Sequence, residues 1–106
     1  MKIIVNKIIP FKGFAAINLF GVLFVRKGVN ITDRLIQHEK IHTLQMKELL
    51  YVFFYIAYVL EWLVKLLFYG KKAYRNISFE REAYANEEAL GYLNNRPLFA
   101  FLKHIL

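Results

Sequence analysis

Short apolar, β-branched runs separated by turn-forming residues dominate the start of the chain. The run at 2–9 predicts a strand, and Pro10–Gly13 predicts the turn that follows it. A second strand is predicted over Ala15–Lys27 with an interruption at Gly21, and a helix over 14–25 is the alternative. We expect the two strands to pair in an antiparallel manner.

From about residue 32 the apolar positions recur every three or four residues, which is the spacing of helices. Asn30 or Thr32 is suited to cap the first helix. One face of that helix carries Leu35, His38, His42, Met46 and Leu49. Residues 49–68 predict a second helix that is apolar on all sides except at Glu61 and Lys65, whose i,i+4 spacing predicts an ion pair.

The last third of the chain is more polar and predicts a connection followed by two helices. Residues 69–77 form the connection, and Ser78 is suited to cap a helix over about 79–94. Pro97 prevents that helix from extending further. A short helix at 98–105 closes the chain.

The chain of 106 residues has the length of one domain. The expected fold class is α+β, with an N-terminal antiparallel β-hairpin at 1–28 followed by a mainly helical part at 32–106. The chain contains no cysteine. Disulfides and thiolate metal sites are therefore excluded, and a transition-metal site has to use histidine and carboxylate ligands.

The composition is 58% hydrophobic and the formal net charge is +7, which together indicate contact with a membrane surface, a partner or an acidic ligand. The basic residues are scattered, so no nucleic-acid partner is expected. Phe14–Val25 lacks a small-x-small cleavage site, so no cleavable signal peptide is expected. The 49–68 helix is long enough to span a bilayer, and we expect it to contact a membrane surface or to form a homodimer. Both a membrane-associated and a cytoplasmic location stay open.

The residues His38-Glu39-Lys40-Ile41-His42 lie in the first predicted helix and have the form H-E-x-x-H. Two imidazoles four residues apart project from the same side of a helix and can reach one Zn²⁺. The intervening Glu39 is placed to act as general base on a zinc-bound water. The sequence therefore predicts His38 and His42 as zinc ligands and Glu39 as the catalytic residue.

A catalytic zinc takes a third protein ligand, which here has to come from a carboxylate on another helix. The predicted 79–94 helix has Glu82 at the edge of its apolar face, whereas its other carboxylates point toward solvent. That face is defined by Phe79, Ala83, Leu90 and Leu93. Glu82 is the predicted third metal ligand, with Glu80 as the second choice. Asn86 is predicted to accept a hydrogen bond from a ligating histidine.

Both predicted long helices constrain where this carboxylate can meet the histidines. If the two segments formed one straight helix, its C-terminal end would lie about 40 Å from His42. A single membrane span by 49–68 would place His42 and Glu82 on opposite sides of a hydrocarbon layer about 30 Å thick. We therefore expect a bend or break between Met46 and Tyr55, although no glycine or proline marks it, and no simple crossing of the membrane.

The H-E-x-x-H sequence followed by Glu82-Ala83-Tyr84-Ala85-Asn86 resembles the gluzincin arrangement of zinc metallopeptidases. Examples are the thermolysin-like enzymes and the membrane-bound prenyl-protein and heat-shock zinc proteases, in which a downstream helix carries Glu-x-x-x-Asp or Glu-x-x-Ala-Asp. Asn86 stands where those families usually have Asp. The chain also resembles short bacterial proteins of the H-E-x-x-H type.

The resemblance implies a minimal zincin-like domain and a zinc-dependent metallopeptidase that hydrolyses a peptide or protein substrate. Tyr84, Tyr74 and His104 are open candidates for the donor that stabilises the tetrahedral intermediate. The strand over Ala15–Val25 is a candidate edge for pairing with an extended peptide. Two other classes stay open: a catalytically idle zinc-binding interaction or regulatory module, and a small membrane-associated structural protein.

Overall fold

The computed structural model describes residues 2–8 and 15–105. Its fold is α+β, as predicted, with a three-stranded sheet at the N-terminus followed by helices. The strands are β1 (Lys2–Asn6), β2 (Ala16–Leu19) and β3 (Val22–Arg26). The turn predicted at Pro10–Gly13 lies outside the described residues.

The sheet has the order β1-β3-β2, so β3 is its central strand. β2 and β3 form an antiparallel hairpin through Phe20 and Gly21, whose φ angles of 52° and 88° suit a two-residue turn. β1 pairs with β3 in parallel. The expected antiparallel pairing of 2–9 with Ala15–Lys27 is therefore wrong, because the hairpin reversal lies inside the second segment at its Gly21 interruption.

Helix α1 (Asp33–Glu48) begins after Thr32, one of the two predicted caps, whose hydroxyl accepts a hydrogen bond from the Leu35 amide at 3.1 Å. The sheet is attached to the middle of this helix by Asn18 of β2. The Asn18 amide group donates to the Glu39 carbonyl at 2.9 Å and to the Thr43 hydroxyl at 3.0 Å. These contacts place β2 beside the H-E-x-x-H residues.

The predicted break between Met46 and Tyr55 is confirmed, because α1 ends at Glu48 and α2 (Val52–Tyr69) begins after three intervening residues. Leu50 and Tyr51 adopt positive φ angles of 54° and 60°. The Tyr51 amide still donates to the Met46 carbonyl at 2.7 Å. The chain thus changes direction at residues without the conformational freedom of glycine.

After α2 the chain turns back through a 3₁₀ turn (Gly70–Lys72) and the short helix α3 (Ala73–Asn76). Helix α4 (Ser78–Asn86) then runs antiparallel beside α2, as contacts from Tyr58 to Glu80 and from Glu61 to Ser78 show. The predicted Glu61–Lys65 ion pair is confirmed, with a distance of 3.8 Å. The 49–68 segment therefore brings α4 back toward α1 instead of separating them.

Ser78 is not the N-cap of α4 but its first helical residue, and Ile77 occupies the cap position. The side chain that satisfies the helix start comes from α2: the Glu61 carboxylate accepts hydrogen bonds from both the amide and the hydroxyl of Ser78. A carboxylate at this position also interacts favourably with the helix dipole.

α4 ends at Asn86, well before the predicted end at residue 94. The chain turns at Gly91, with a φ of 74°, before the separate short helix α5 (Tyr92–Asn95). The final segment forms a 3₁₀ helix (Ala100–His104) within the predicted 98–105 helix, and it packs on α4. The core formed by α1, α2, α4 and this segment contains Met46, Phe54, Ile77, Phe79 and Phe101.

α2 contributes little to that core, since Phe54 and Lys65 are its buried residues. Val52–Asn86, taken as one bent helical run, is long and apolar enough to cross a membrane by length and composition, and 11% of its most apolar stretch is buried. Most of the apolar surface of α2 therefore faces away from the protein.

Candidate metal centre

The two histidines of the H-E-x-x-H sequence lie one turn apart on the face of α1 that packs against α4. Their exposed fractions are 6% for His38 and 5% for His42. The two Nε2 atoms are 3.1 Å apart. This close approach of two imidazoles follows from their i,i+4 spacing on a regular helix.

Glu80 of α4 completes a three-atom cluster with these histidines. Its Oε1 lies 3.2 Å from His38 Nε2 and 3.0 Å from His42 Nε2. All three residues are buried, and their ligand atoms are close enough together to hold one metal ion. The structure thus brings together the two predicted histidines and the second-choice carboxylate.

Hydrogen bonds on the far side of each ring fix which nitrogen carries the proton. His38 Nδ1 lies 2.8 Å from Glu87 Oε2, and an ionised carboxylate can only accept, so this nitrogen is the donor. His42 Nδ1 lies 2.8 Å from Gln45 Oε1. The amide nitrogen of Gln45 is committed to Glu82 Oε1 and the Phe79 carbonyl, both at 3.0 Å, so its oxygen has to face His42.

With both Nδ1 atoms acting as donors, the Nε2 atom of each ring, when it carries no proton, directs its lone pair at the other Nε2 and at Glu80 Oε1. Three acceptor atoms within 3.2 Å of one another repel unless a cation lies among them. A Zn²⁺ with ligand distances of about 2.0–2.1 Å in tetrahedral geometry separates its ligand atoms by about 3.3–3.4 Å. The residues present therefore fit a zinc ion, both in donor chemistry and in spacing.

The electrostatics of the cluster agree with this interpretation. Burial alone would lower the pKa of His42, but the charge and hydrogen bond of Glu80 outweigh it and raise that pKa to about 9. Burial would raise the pKa of Glu80, but His42 and hydrogen bonds from both histidines hold it well below its usual range. The three residues thus favour a positive charge between them.

Glu82, the first-choice ligand, does not lie with the histidines. Its carboxylate accepts hydrogen bonds from Gln45, Tyr92 and Arg96 and is fully buried. The rotation of about 200° between positions two apart on a helix separates it from Glu80. The sequence-based face was defined partly by Leu90 and Leu93, which lie beyond the end of α4, and Leu90 is 100% exposed.

Asn86 does not hydrogen-bond to a histidine either. Its side chain donates to the Glu82 carbonyl at 2.9 Å. Glu87, the next residue, is the partner of His38, and it reaches the ring because α4 has ended and the chain turns there. Glu87 and Gln45 are the two supporting residues that the sequence analysis missed. Gln45 was recognisable as an i+3 neighbour of His42, but Glu87 was not.

Tyr58 of α2 is a third residue that the sequence did not indicate. Its hydroxyl donates to Glu80 Oε2 at 2.7 Å, on the oxygen that does not face the histidines. This hydrogen bond fixes the rotation of the carboxylate, so that Oε1 is the oxygen directed at the cluster. The inner side of α2 therefore supports the site.

A cavity of about 390 Å³ opens beside the cluster and gives access to it. Glu39, His42 and Glu80 line one side, and Ala16, Ile17 and Asn18 of β2 line another. The remaining lining is apolar or aromatic: Met46, Phe54, Tyr55, Tyr58 and Tyr74. Burial raises the pKa of Glu39, although the charges of His42 and His38 oppose this.

The three candidate donors for a tetrahedral intermediate lie in different places. Tyr74 lines the cavity. Tyr84 packs its ring edge-on against His38, with 4.6 Å between ring centroids, and its hydroxyl is 3.5 Å from that of Tyr74. His104 lies in the C-terminal 3₁₀ helix and is not among the residues that line the cavity. Tyr74 is thus the best placed of the three.

Comparison of the chain with protein-family models, with curated proteins and with solved structures found no match.

Proposed function

We propose that this protein is a zinc-dependent hydrolase of peptide bonds, with His38, His42 and Glu80 as the metal ligands. The observation that carries the proposal is the convergence of three buried acceptor atoms, all within 3.2 Å of one another, at one side of an open cavity. Glu80 takes the position for which Glu82 was the first choice. This donor set, with two imidazoles and one carboxylate, is typical of catalytic zinc sites that leave a fourth position open.

Glu39 is the general base in this proposal. It lines the same cavity as His42 and Glu80, and its raised pKa lies closer to neutral pH than that of an exposed carboxyl group. Zinc held by His38, His42 and Glu80 would supply Lewis-acid activation of a water molecule and of the scissile carbonyl. Glu39 accepts the proton lost during attack and returns it to the leaving amine.

The free edge of β2 is the proposed place for the substrate backbone. Within the described residues β2 pairs with β3 alone, and its residues Ala16, Ile17 and Asn18 line the cavity. An extended peptide can add to such an edge through backbone hydrogen bonds. The apolar lining by Met46, Phe54 and Tyr55 favours an apolar substrate side chain.

The decisive experiment compares the wild type with Glu39→Gln in two measurements. The first is the zinc content of the purified proteins. The second is the cleavage of a library of quenched fluorescent peptides that contain apolar residues. We expect both proteins to contain about one zinc each, while Glu39→Gln loses cleavage by at least about 100-fold. A chelator should abolish wild-type cleavage, and added Zn²⁺ should restore it. Glu88→Gln is the matched control, because Glu88 lies outside the cluster and is paired with Arg34 at the surface.

Two results would contradict the proposal in different ways. Zinc without any cleavage in the wild type would favour the idle zinc-binding module. Absence of zinc from the wild type after growth in zinc-supplemented medium would reject the metal centre itself.

A further inference from the structure

The outward side of α2 is an apolar surface that the fold leaves uncovered. Apart from Tyr69 at its C-terminal end, eleven large hydrophobic side chains of α2 are exposed: Val52, Phe53, Ile56, Val59, Leu60, Trp62, Leu63, Val64, Leu66, Leu67 and Phe68. Leu67 and Phe68 are the most exposed, at 84% and 77%. A contiguous apolar surface of this size on a protein indicates an interaction site. We call these eleven residues the α2 face.

The charged groups of α2 are all turned away from this face. Glu61 and Lys65 are the charged residues between Val52 and Tyr69. Glu61 accepts from Ser78, and Lys65 donates to the carbonyls of Asn76 and Ile105. Both charges are therefore satisfied inside the protein, and the α2 face itself carries none.

The breadth of the α2 face distinguishes between possible partners. At 100° per residue its side chains spread over about 240° of the helix circumference. A second protein helix covers a stripe of about 100°, so a twofold contact with another copy would leave much of the face in water. Lipid acyl chains can surround a helix over the whole of such an arc. The geometry thus favours a bilayer over a second copy.

The charge of the chain also agrees with a lipid partner. Lys71 and Lys72 follow the helix after Gly70 and are exposed. Basic residues at this position interact with anionic head groups. The chain as a whole has a net charge of +7, which favours the same surface.

We propose that the α2 face is inserted into a lipid bilayer with anionic head groups, with Lys71 and Lys72 at the head-group level. This proposal does not depend on the metal centre or on hydrolysis. Because Phe54, Tyr55 and Tyr58 of the same helix line the cavity, insertion of α2 brings that cavity next to the bilayer.

Trp62 makes the proposal directly measurable. It is the single tryptophan of the chain, it lies on the α2 face, and it is 39% exposed. The full chain, purified in mild detergent, is mixed with vesicles of phosphatidylcholine and phosphatidylglycerol, and detergent is removed. We expect the protein to float with the vesicles, and lipids brominated in their acyl chains to quench Trp62 fluorescence. Vesicles of phosphatidylcholine alone should bind the chain more weakly.

Matched variants test which surface is responsible. Leu60→Glu/Leu67→Glu alters two exposed leucines of the α2 face, whereas Leu90→Glu/Leu98→Glu alters two exposed leucines elsewhere, which are 100% and 80% exposed. We expect the first pair to lose flotation and the second pair to keep it. Lys71→Gln and Lys72→Gln should each weaken binding to the anionic vesicles about fivefold.

Three outcomes would overturn the proposal: a wild-type chain that stays in the aqueous fraction as a dimer by sedimentation analysis, Trp62 fluorescence that brominated lipid does not quench, or equal flotation of both double variants. Circular dichroism shows whether Leu60→Glu/Leu67→Glu has folded. If it has not, the quenching of wild-type Trp62 still decides the question.

Discussion

Gln45 accepts a hydrogen bond from His42 Nδ1 at 2.8 Å and is itself held by Glu82, whose Oε1 accepts from the Gln45 amide nitrogen at 3.0 Å. Glu82 therefore acts on the histidine cluster through Gln45 and not by direct contact. Since the Phe79 carbonyl takes the second amide proton of Gln45, the amide cannot flip without losing both of its hydrogen bonds. The orientation of Gln45 thus directs His42 Nε2 toward Glu80.

Replacement of Gln45 by leucine should weaken zinc binding about 10–100-fold, because His42 then loses the partner that fixes its tautomer and orientation. The measurement is a competition titration with a chromophoric chelator. Gln37→Leu is the matched control on the same helix. Gln37 donates to the carbonyls of Asn86 and Ala89 and does not touch the cluster. Equal zinc affinities for the two variants would reject the role assigned to Gln45.

The sequence predicted the parts of this site that depend on one helix alone. His38, Glu39 and His42 follow from local spacing, and the Thr32 cap and the Glu61–Lys65 pair were equally local. The choice between Glu80 and Glu82 depended on the rotation of α4 against α1. That rotation is set by tertiary packing, including the Glu61 carboxylate at the start of α4.

One other part of the fold could be predicted only from the distance that the chain has to span between two ligands. The break after α1 follows from the need to bring a later helix back to His42, even though no local signal marks Leu50 or Tyr51. The parallel pairing of β1 was missed, because side-chain alternation in a strand does not specify the direction of its neighbour. Local patterns thus predicted most of the elements, whereas the contacts between elements determine which carboxylate lies beside the histidines.

The assignment of Glu80 as ligand predicts opposite results for two neighbouring carboxylates. Glu80→Ala should weaken zinc binding by more than about 100-fold, which is the largest loss expected when only a supporting contact is removed. The loss is greater here because one of the three donor atoms is removed. Glu82→Gln should keep its zinc, since Glu82 contacts Gln45, Tyr92 and Arg96 and not the histidines, and the amide oxygen of the variant can still accept the hydrogen bond from Gln45. Metal analysis of the purified variants measures both. Zinc lost from Glu82→Gln and kept by Glu80→Ala would restore the sequence-based assignment.

Replacement of Arg96 is expected to lower the stability of the protein strongly. Its guanidinium group contacts Glu82 at 2.5 Å and Glu48 at 2.9 Å, and the exposed fractions of these side chains are 4%, 0% and 8% respectively. Arg96→Met leaves two buried carboxylates without their cation, so we expect it to lower the free energy of unfolding by about 3–5 kcal/mol.

The control for Arg96→Met is an ion pair of the same chemistry at the surface. Arg34 lies 3.4 Å from Glu88, and their side chains are 59% and 73% exposed. Arg34→Met should lower the free energy of unfolding by less than about 1 kcal/mol, because water screens this pair. Urea denaturation of both variants gives the comparison, and similar losses would contradict the structural role of the buried network.

At the break between α1 and α2, we expect one glycine substitution to stabilise the protein or to leave its stability unchanged. Leu50 adopts a φ of 54° and its side chain is 70% exposed. A left-handed conformation costs a non-glycine residue about 1–2 kcal/mol, whereas glycine adopts it freely and loses about 0.5–1 kcal/mol to its greater freedom in the unfolded chain. Little packing is lost at so exposed a position.

Leu50→Gly should therefore keep or raise the midpoint of urea denaturation, against the usual effect of introducing glycine. Lys40→Gly provides the comparison at an exposed position in the interior of α1, where glycine should lower the free energy of unfolding by about 1 kcal/mol. If α1 and α2 instead continued as one helix through Leu50, both glycine substitutions would destabilise the protein to the same extent. Destabilisation by Lys40→Gly but not by Leu50→Gly thus reports directly on the reversal that brings α4, and with it Glu80, to the histidines.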